Sequence, residues 1–169
     1  GYLLNATKLI SNVVEGPKTI VLIIGESTSR EDMSLYGYSR DTTPQLKTIE
    51  ANDLFFIKAR EAYSTKFSTV PAFNSMLEFD IKVPLKEHVH LLALFKKAGY
   101  HITWISNQDD MGIEAEYSSF ADKLLQMNRQ PGRSSASFDE KVIPELKTAL
   151  CENYEKKLIV VHLIGLHPH

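Results

Sequence analysis

Short apolar runs separated by longer amphipathic stretches set the pattern of this chain. Lys18 to Gly25 (KTIVLIIG) is continuous, rich in β-branched residues and bounded by Gly16-Pro17 and Gly25. A strand buried on both faces of a parallel sheet has this character. The pattern returns at Lys157 to Gly165 (KLIVVHLIG), and more weakly at Leu54 to Ile57 and at His101 to Ser106 (HITWIS). Helical periodicity falls between these runs: Thr43 to Ala51 behind the Pro44 start signal, Thr69 to Phe79, His88 to Ala98 before Gly99, and Phe138 to Tyr154. Strands alternating with helices predict βαβ crossovers, and hence an α/β fold with a mostly parallel sheet and helices on both faces. Gln126 to Ser137, with Pro131 and Gly132, reads as a surface connection within one domain.

Composition narrows the class. With 169 residues, 43% hydrophobic and 24% charged, the chain can bury one core as a soluble globular domain. A net charge of -2 and a pI near 6.3, with no clustered Lys or Arg, exclude a nucleic-acid surface. No apolar run approaches the ~20 residues that cross a bilayer, and the first fifteen residues lack the order of a signal peptide. Tyr2, Leu3, Leu4, Leu9 and Ile10 nevertheless form an apolar lead-in, the expectation for a piece of a longer membrane protein. Cys151 has no partner for an internal disulfide, its neighbours Glu152 and Glu155 disfavour a thiolate, and one cysteine leaves the compartment open.

In open α/β sheets ligands bind beyond the carboxyl ends of the strands. Three such exits are polar: Glu26-Ser27-Thr28-Ser29, Asn107-Gln108-Asp109-Asp110, and Gly165 to His169. Glu26, where the backbone leaves an apolar strand, suits a cation ligand, or equally a carboxylate stabilised at a helix start. Gly25-Glu26-Ser27-Thr28-Ser29 approaches the G-x-S-x-G nucleophile elbow, with His162 or His167 as base, but Ser29 stands where the second glycine belongs. Thr69 precedes Pro71 at the head of an apolar helix. It reads as a plain capping residue or as a nucleophile facing converging amides that favour an anionic phosphoryl group. His167, past Gly165, is placed to ligate metal or to contact phosphate. His162, within a strand, reads as a core or edge residue, His88, His90 and His101 read as structural, and His169 at the terminus gives no reading.

The run TIVLIIGESTSREDMSLYGYSRDTTPQL, from Thr19 to Leu46, closely resembles the opening of bacterial phosphoethanolamine transferases, membrane-anchored members of the alkaline phosphatase and sulfatase superfamily. The resemblance continues through Thr69, GYHITWISNQ, FDEKVIPEL and KKLIVVHLIGLH, and so covers essentially all of the chain after Pro17. It implies an alkaline phosphatase/sulfatase-like fold, with residues 18–169 as the N-terminal part of the catalytic domain and residues 1–17 as a linker from a membrane anchor. It further implies that Glu26 binds a catalytic zinc and that Thr69 is both zinc ligand and nucleophile, passing through a phosphothreonine intermediate. His167 would lie near a second metal or the substrate, and Asn107 would line the pocket. Phosphatidylethanolamine would be the donor and a lipopolysaccharide or other envelope glycan the acceptor, at the periplasmic face of the bacterial inner membrane.

The family's later Asp-His metal pair is not within these residues, so the piece by itself is expected to be inactive. The cysteines that bridge the family's lipid A-modifying branch are likewise absent, including any near Thr69, which favours the branch acting on heptose of the lipopolysaccharide core. Two alternatives stand beside the transferase: a sulfatase- or phosphatase-type hydrolase of the same superfamily, disfavoured by Thr rather than Cys at position 69, and a non-catalytic binding domain.

Overall fold

The computed structural model describes residues 16–82, 86–109, 112, 114–128 and 138–165. The linker expected before Pro17 falls almost wholly outside them, as do most of the Gln126–Ser137 connection and both His167 and His169. Contacts divide the chain into two compact units: the chain up to Glu26 together with the chain from Thr65 onward, and Ser27–Ser64.

The larger unit is built on four parallel strands: β1 (Thr19–Ile24), β4 (His101–Ser106), β5 (Lys123–Gln126) and β6 (Lys157–His162), in the order β1-β6-β4-β5. In register, Ile24 stands beside His162, and His162 beside Ser106, so three strands finish level at one edge of the sheet. The apolar runs form strands because each residue finds a covered face. On one face Leu158 and Val160 of β6 and Ile102 and Trp104 of β4 pack under α2 (Thr69–Leu77), α3 (Leu91–Lys97) and α4 (Ala115–Ser118), which contribute Phe73, Leu77, Leu92 and Tyr117. On the other face Ile159, Val161 and Ile105 pack under α5 (Val142–Cys151) through Val142 and Ala149. Helices therefore cover both faces of a parallel sheet, as the alternation of elements predicts.

β1 is the exception to that coverage. Ile20, Leu22 and Ile24 point into the first core, but Val21 and Ile23 are 39% and 58% exposed on the opposite face. Among the described residues, β1 pairs only with β6, leaving its other edge without a strand.

Several boundaries differ from those the sequence predicts. Thr69–Phe79 is expected to be one helix, but α2 ends at Leu77. Glu78–Lys82 is instead β2, paired antiparallel with β3 (Lys86–His90), which takes over the first turn of the helix expected from His88. Helical spacing of Leu and Phe is compatible with either course, and the hairpin pairing decides it. α5 begins later and ends earlier than Phe138–Tyr154, preceded by a 3-10 turn at Asp139–Lys141. β5, with lysine and glutamine at its ends, is a strand that the sequence pattern does not reveal.

The smaller unit contains 3-10 turns at Arg30–Asp32 and Ser34–Tyr36, followed by α1 (Pro44–Asn52). The Ser34 and Thr43 side chains tie the second turn to the head of α1: Thr43 Oγ1 accepts from the Leu35 amide at 2.9 Å and Ser34 Oγ from the Thr43 amide at 2.9 Å. Leu54–Ile57, expected as a strand, is not one; Leu54 and Phe55 lie in a turn and Ile57 is 91% exposed. The run is apolar enough for a strand, yet no described strand pairs with it, and without a ladder its backbone takes an irregular course.

Candidate active site at the strand ends

Three strand exits converge at the carboxyl edge of the parallel sheet. β1 passes through Gly25 to Glu26, which is half-buried. The backbone then turns sharply: Ser27 has φ 50, the only positive φ at a non-glycine among the described residues, a conformation costing on the order of 1 kcal/mol or more.

α2 delivers Thr69 to the same place. Ser68, rather than Thr69, is the N-cap, with extended dihedrals (φ -124, ψ 155), and Thr69 is the first helical residue. This corrects the capping position that the sequence suggests for Thr69 and frees its side chain from a capping role. Pro71 falls within the first turn, where a missing amide costs least. Thr69 Oγ1 donates a hydrogen bond to Glu26 Oε2 at 2.9 Å. Behind it, Phe73 stacks on Tyr117 at 5.2 Å between centroids and meets the His162 ring edge-on at 5.0 Å. The Tyr117 hydroxyl donates to Asn74 Oδ1. Burial, with Glu78 and Glu116 nearby, pushes that hydroxyl up to about 12, so it stays protonated and keeps donating. The helix that carries Thr69 is thus held by ring contacts on two sides and by a side-chain hydrogen bond.

The middle exit, from β6, is bound to its neighbours. The Leu163 amide donates to the Ile24 carbonyl at 2.9 Å, and the Asn107 amide donates to the His162 carbonyl at 2.9 Å. Gly165 has φ +61, and a Cβ built there would lie 2.2 Å from the Glu26 carbonyl oxygen. Only glycine allows so close an approach of the two backbones.

Asn107, expected to line the pocket, is fully buried, and its Nδ2 donates to Asp139 Oδ1 at 2.9 Å. It is therefore part of the rim that supports the site. Asp139 Oδ1 also accepts from the Ile164 amide at 2.8 Å, and Oδ2 from the Gly165 amide at 2.9 Å. An aspartate at a helix start reads in sequence as a capping residue, so this cross-sheet role has no signal in the sequence. Glu114 is also absent from the sequence reading. It is buried beside His162, with Oε2 against His162 Nδ1, both side chains 0% exposed. His162 is thereby a core residue, as its place within a strand suggests.

Glu26 and Thr69 fit part of a metal site. A carboxylate and a hydroxyl oxygen 2.9 Å apart are close enough for one ion to reach both; at metal–oxygen distances of about 2.0–2.2 Å a tetrahedral ion would hold them roughly 3.3–3.6 Å apart. Among the described residues no group of three or more His, Cys, Asp or Glu side chains could hold a metal, so this pair would supply two donors of a larger set.

The chain is a layered parallel α/β protein in which a carboxylate and a helix-head hydroxyl meet at the strand ends, where proteins of this class bind their ligands. The chain belongs to the sulfatase family, whose profile matches residues 18–169. Among its relatives are "Phosphoethanolamine transferase CptA" of Salmonella typhimurium, 36% identical over 160 residues, and "Phosphoethanolamine transferase EptC" of Escherichia coli K12, 35% identical over 158 residues. The alignments take in 90% and 89% of this chain but only 28% and 27% of those proteins. A crystal structure of the C-terminal periplasmic domain of EptC from Escherichia coli, in complex with Zn, superposes with a TM-score of 0.83 at 34% identity, over 92% of this chain and 45% of that one. The family resemblance drawn from the Thr19–Leu46 run and the segments that follow it is thus borne out, and the zinc complex is a property of that structural relative.

Proposed function

We propose that this chain carries the nucleophile-bearing part of a metal-dependent phosphoethanolamine transferase, with Thr69 as nucleophile and Glu26 as its partner. The observation that carries the reading is the 2.9 Å hydrogen bond from Thr69 Oγ1 to Glu26 Oε2. It joins a nucleophile at a helix head to a carboxylate at a strand end, and the named relatives are phosphoethanolamine transferases.

In the first displacement the Thr69 oxygen attacks the phosphorus of phosphatidylethanolamine, forming a Thr69–O–P bond and breaking the P–O bond to diacylglycerol. The Thr69 proton passes to solvent and the departing diacylglycerol oxygen takes one up from solvent, while Glu26, hydrogen-bonded to Thr69 in the structure, helps hold the attacking oxygen in place. In the second, a hydroxyl of a lipopolysaccharide or other envelope glycan attacks the phosphorus of the phosphothreonine, forming the new P–O bond and breaking the Thr69–O–P bond; its proton passes to solvent and the Thr69 oxygen regains one. The amides at the head of α2 offer donors to the phosphoryl oxygens. A zinc ion held by Glu26 and Thr69, together with ligands from other residues, would supply Lewis-acid charge that lowers the hydroxyl pKa and offsets the phosphate charge. His167, outside the described residues, is assigned to the substrate or to a second metal. The reading places the catalytic domain in the periplasm of a bacterium, anchored to the inner membrane, and a core heptose is the favoured acceptor.

Among the described residues no helix is long and apolar enough to cross a membrane. The chain spans about 28% of the length of the relatives it matches, and the test therefore uses the full-length protein. After incubation with phosphatidylethanolamine, mass spectrometry is expected to find a phosphoethanolamine adduct on the peptide containing Thr69. An unmodified peptide under conditions where the acceptor is modified would remove the nucleophile assignment.

A further inference from the structure

We propose that Asp139 is a positioning residue that holds the β6 exit against Glu26 and so sets the geometry of the Glu26–Thr69 pair. The inference rests on the function proposed above for that pair.

The carboxylate of Asp139 stands at the head of the 3-10 turn before α5, yet the contacts described above reach the other exits of the sheet. Oδ1 accepts from Asn107 Nδ2 at 2.9 Å and from the Ile164 amide at 2.8 Å, and Oδ2 accepts from the Gly165 amide at 2.9 Å. One side chain thus joins the end of β4, the end of β6 and the start of α5. Ile164 is buried and has left the strand, so its amide has lost the ladder that would otherwise satisfy it. Gly165 then passes the Glu26 carbonyl so closely that a Cβ would meet it at 2.2 Å. Any movement of the 164–165 turn is therefore transmitted to the backbone of Glu26. The Glu26 carboxylate in turn is the acceptor for Thr69.

A purely structural clamp would lower stability without disturbing that pair. Asp122 provides the comparison. Its carboxylate accepts from the Ile102 amide at 2.9 Å and from Lys96, tying the opposite end of β4 in the same manner but far from the strand exits. Asp139→Ala, Asp139→Asn and Asp122→Ala would be made in the full-length protein. Cobalt(II) would be used as a spectroscopic metal, and backbone hydrogen exchange would be followed in peptides covering Glu26 and Thr69. Asp139→Asn keeps one acceptor oxygen, and so provides a milder variant should Asp139→Ala fail to fold.

The expected result is a cobalt affinity at least 10-fold weaker, with altered visible bands, for the Asp139 variants, and exchange at least 5-fold faster around Glu26. Asp122→Ala should lower the melting temperature and leave both readouts as in the wild type. Equal effects of the Asp122 and Asp139 variants, or wild-type spectra and exchange in both Asp139 variants, would overturn the proposal. Wild-type protein that takes up no cobalt would instead overturn the metal reading of the site. The exchange comparison then decides the role of Asp139 alone: faster exchange confined to the Asp139 variants supports it, and unchanged exchange overturns it.

Discussion

Thr69 and Glu26 lie 43 residues apart in sequence, on the first turn of a helix and just beyond the end of a strand, and their side chains meet through a 2.9 Å hydrogen bond. The contact is half-buried, with Thr69 Oγ1 donating to Glu26 Oε2. On the function proposed above, the attacking oxygen and a metal-binding carboxylate are thus already side by side in the folded chain.

Removing the hydroxyl is expected to abolish transfer while leaving the fold intact. Thr69→Ala in the full-length protein should lose on the order of 10³-fold or more in kcat, because the oxygen that carries the proposed covalent intermediate is gone. The stability change should stay near the ~1 kcal/mol typical of a single hydrogen bond. Thr69→Ser, which keeps the oxygen, should retain the covalent adduct, and steady-state kinetics with chemical denaturation separate the two effects.

Glu26 is expected to act through the metal. Glu26→Gln keeps the size of the side chain and removes its charge, and zinc affinity should fall by at least the roughly 10–100-fold seen when even outer partners of a metal are lost. Treatment of the wild-type protein with a chelator should stop transfer, and added zinc should restore it. Metal content measured on the dialysed variant decides the assignment.

Gly165→Ala tests the close approach of β6 to β1. The alanine Cβ would overlap the Glu26 carbonyl oxygen and would sit at φ +61, a conformation costing about 1–3 kcal/mol for a non-glycine residue before any clash is counted. Denaturant unfolding should show a loss of about 2 kcal/mol or more. The residual folded protein should transfer poorly, because Glu26 has been displaced.

The Glu114–His162 pair is fully buried and backs the ring of Phe73. Deleting one member leaves the other without its partner in the core, so Glu114→Ala and His162→Ala should each cost about 3–5 kcal/mol. A double replacement by apolar residues of similar volume, Glu114→Leu with His162→Phe, should cost less than either single change. Equilibrium unfolding of the three variants measures the coupling.

Stability should also depend on pH through His90. This side chain is buried between Tyr117 and Phe120, and its Nδ1 accepts from the Leu92 amide at 3.0 Å, capping α3. Burial lowers its pKa from 6.5 to about 4, against a smaller opposing effect of Glu116. A proton at Nδ1 would also remove the cap. The unfolded chain binds the proton more readily, so the contribution is complete above about pH 6.5 and is lost as pH falls towards 4, a change on the order of 3 kcal/mol. His90→Asn, which keeps a capping oxygen, should flatten the melting-temperature profile across that window.

Local pattern is informative where a strand is a largely apolar run, whether both faces are covered, as in β4 and β6, or only one, as in β1. β1, β4 and β6 announce themselves as apolar runs, and the residues at their exits include Glu26, Asn107 and Gly165. Thr69 is legible because Pro71 marks the start of its helix. Pattern fails where a long-range partner decides the outcome. The β2–β3 hairpin is rich in charged residues, and it is defined by pairing rather than by alternation. Leu54–Ile57 has the apolar content of a strand but no described ladder to join. Asp139 and Glu114 are ordinary acidic residues in sequence. Their roles come from donors and a ring 25 to 48 residues away, which no local spacing encodes.

The bare flank of β1 has a consequence for handling the chain in solution. Ile23 is 58% exposed on a strand whose outer edge is unmatched among the described residues, and such an edge is a template for pairing with another molecule. Prepared on its own, the chain should self-associate as its concentration rises, with light scattering reporting growth. A lysine at position 21 or 23 should suppress that growth without unfolding the monomer.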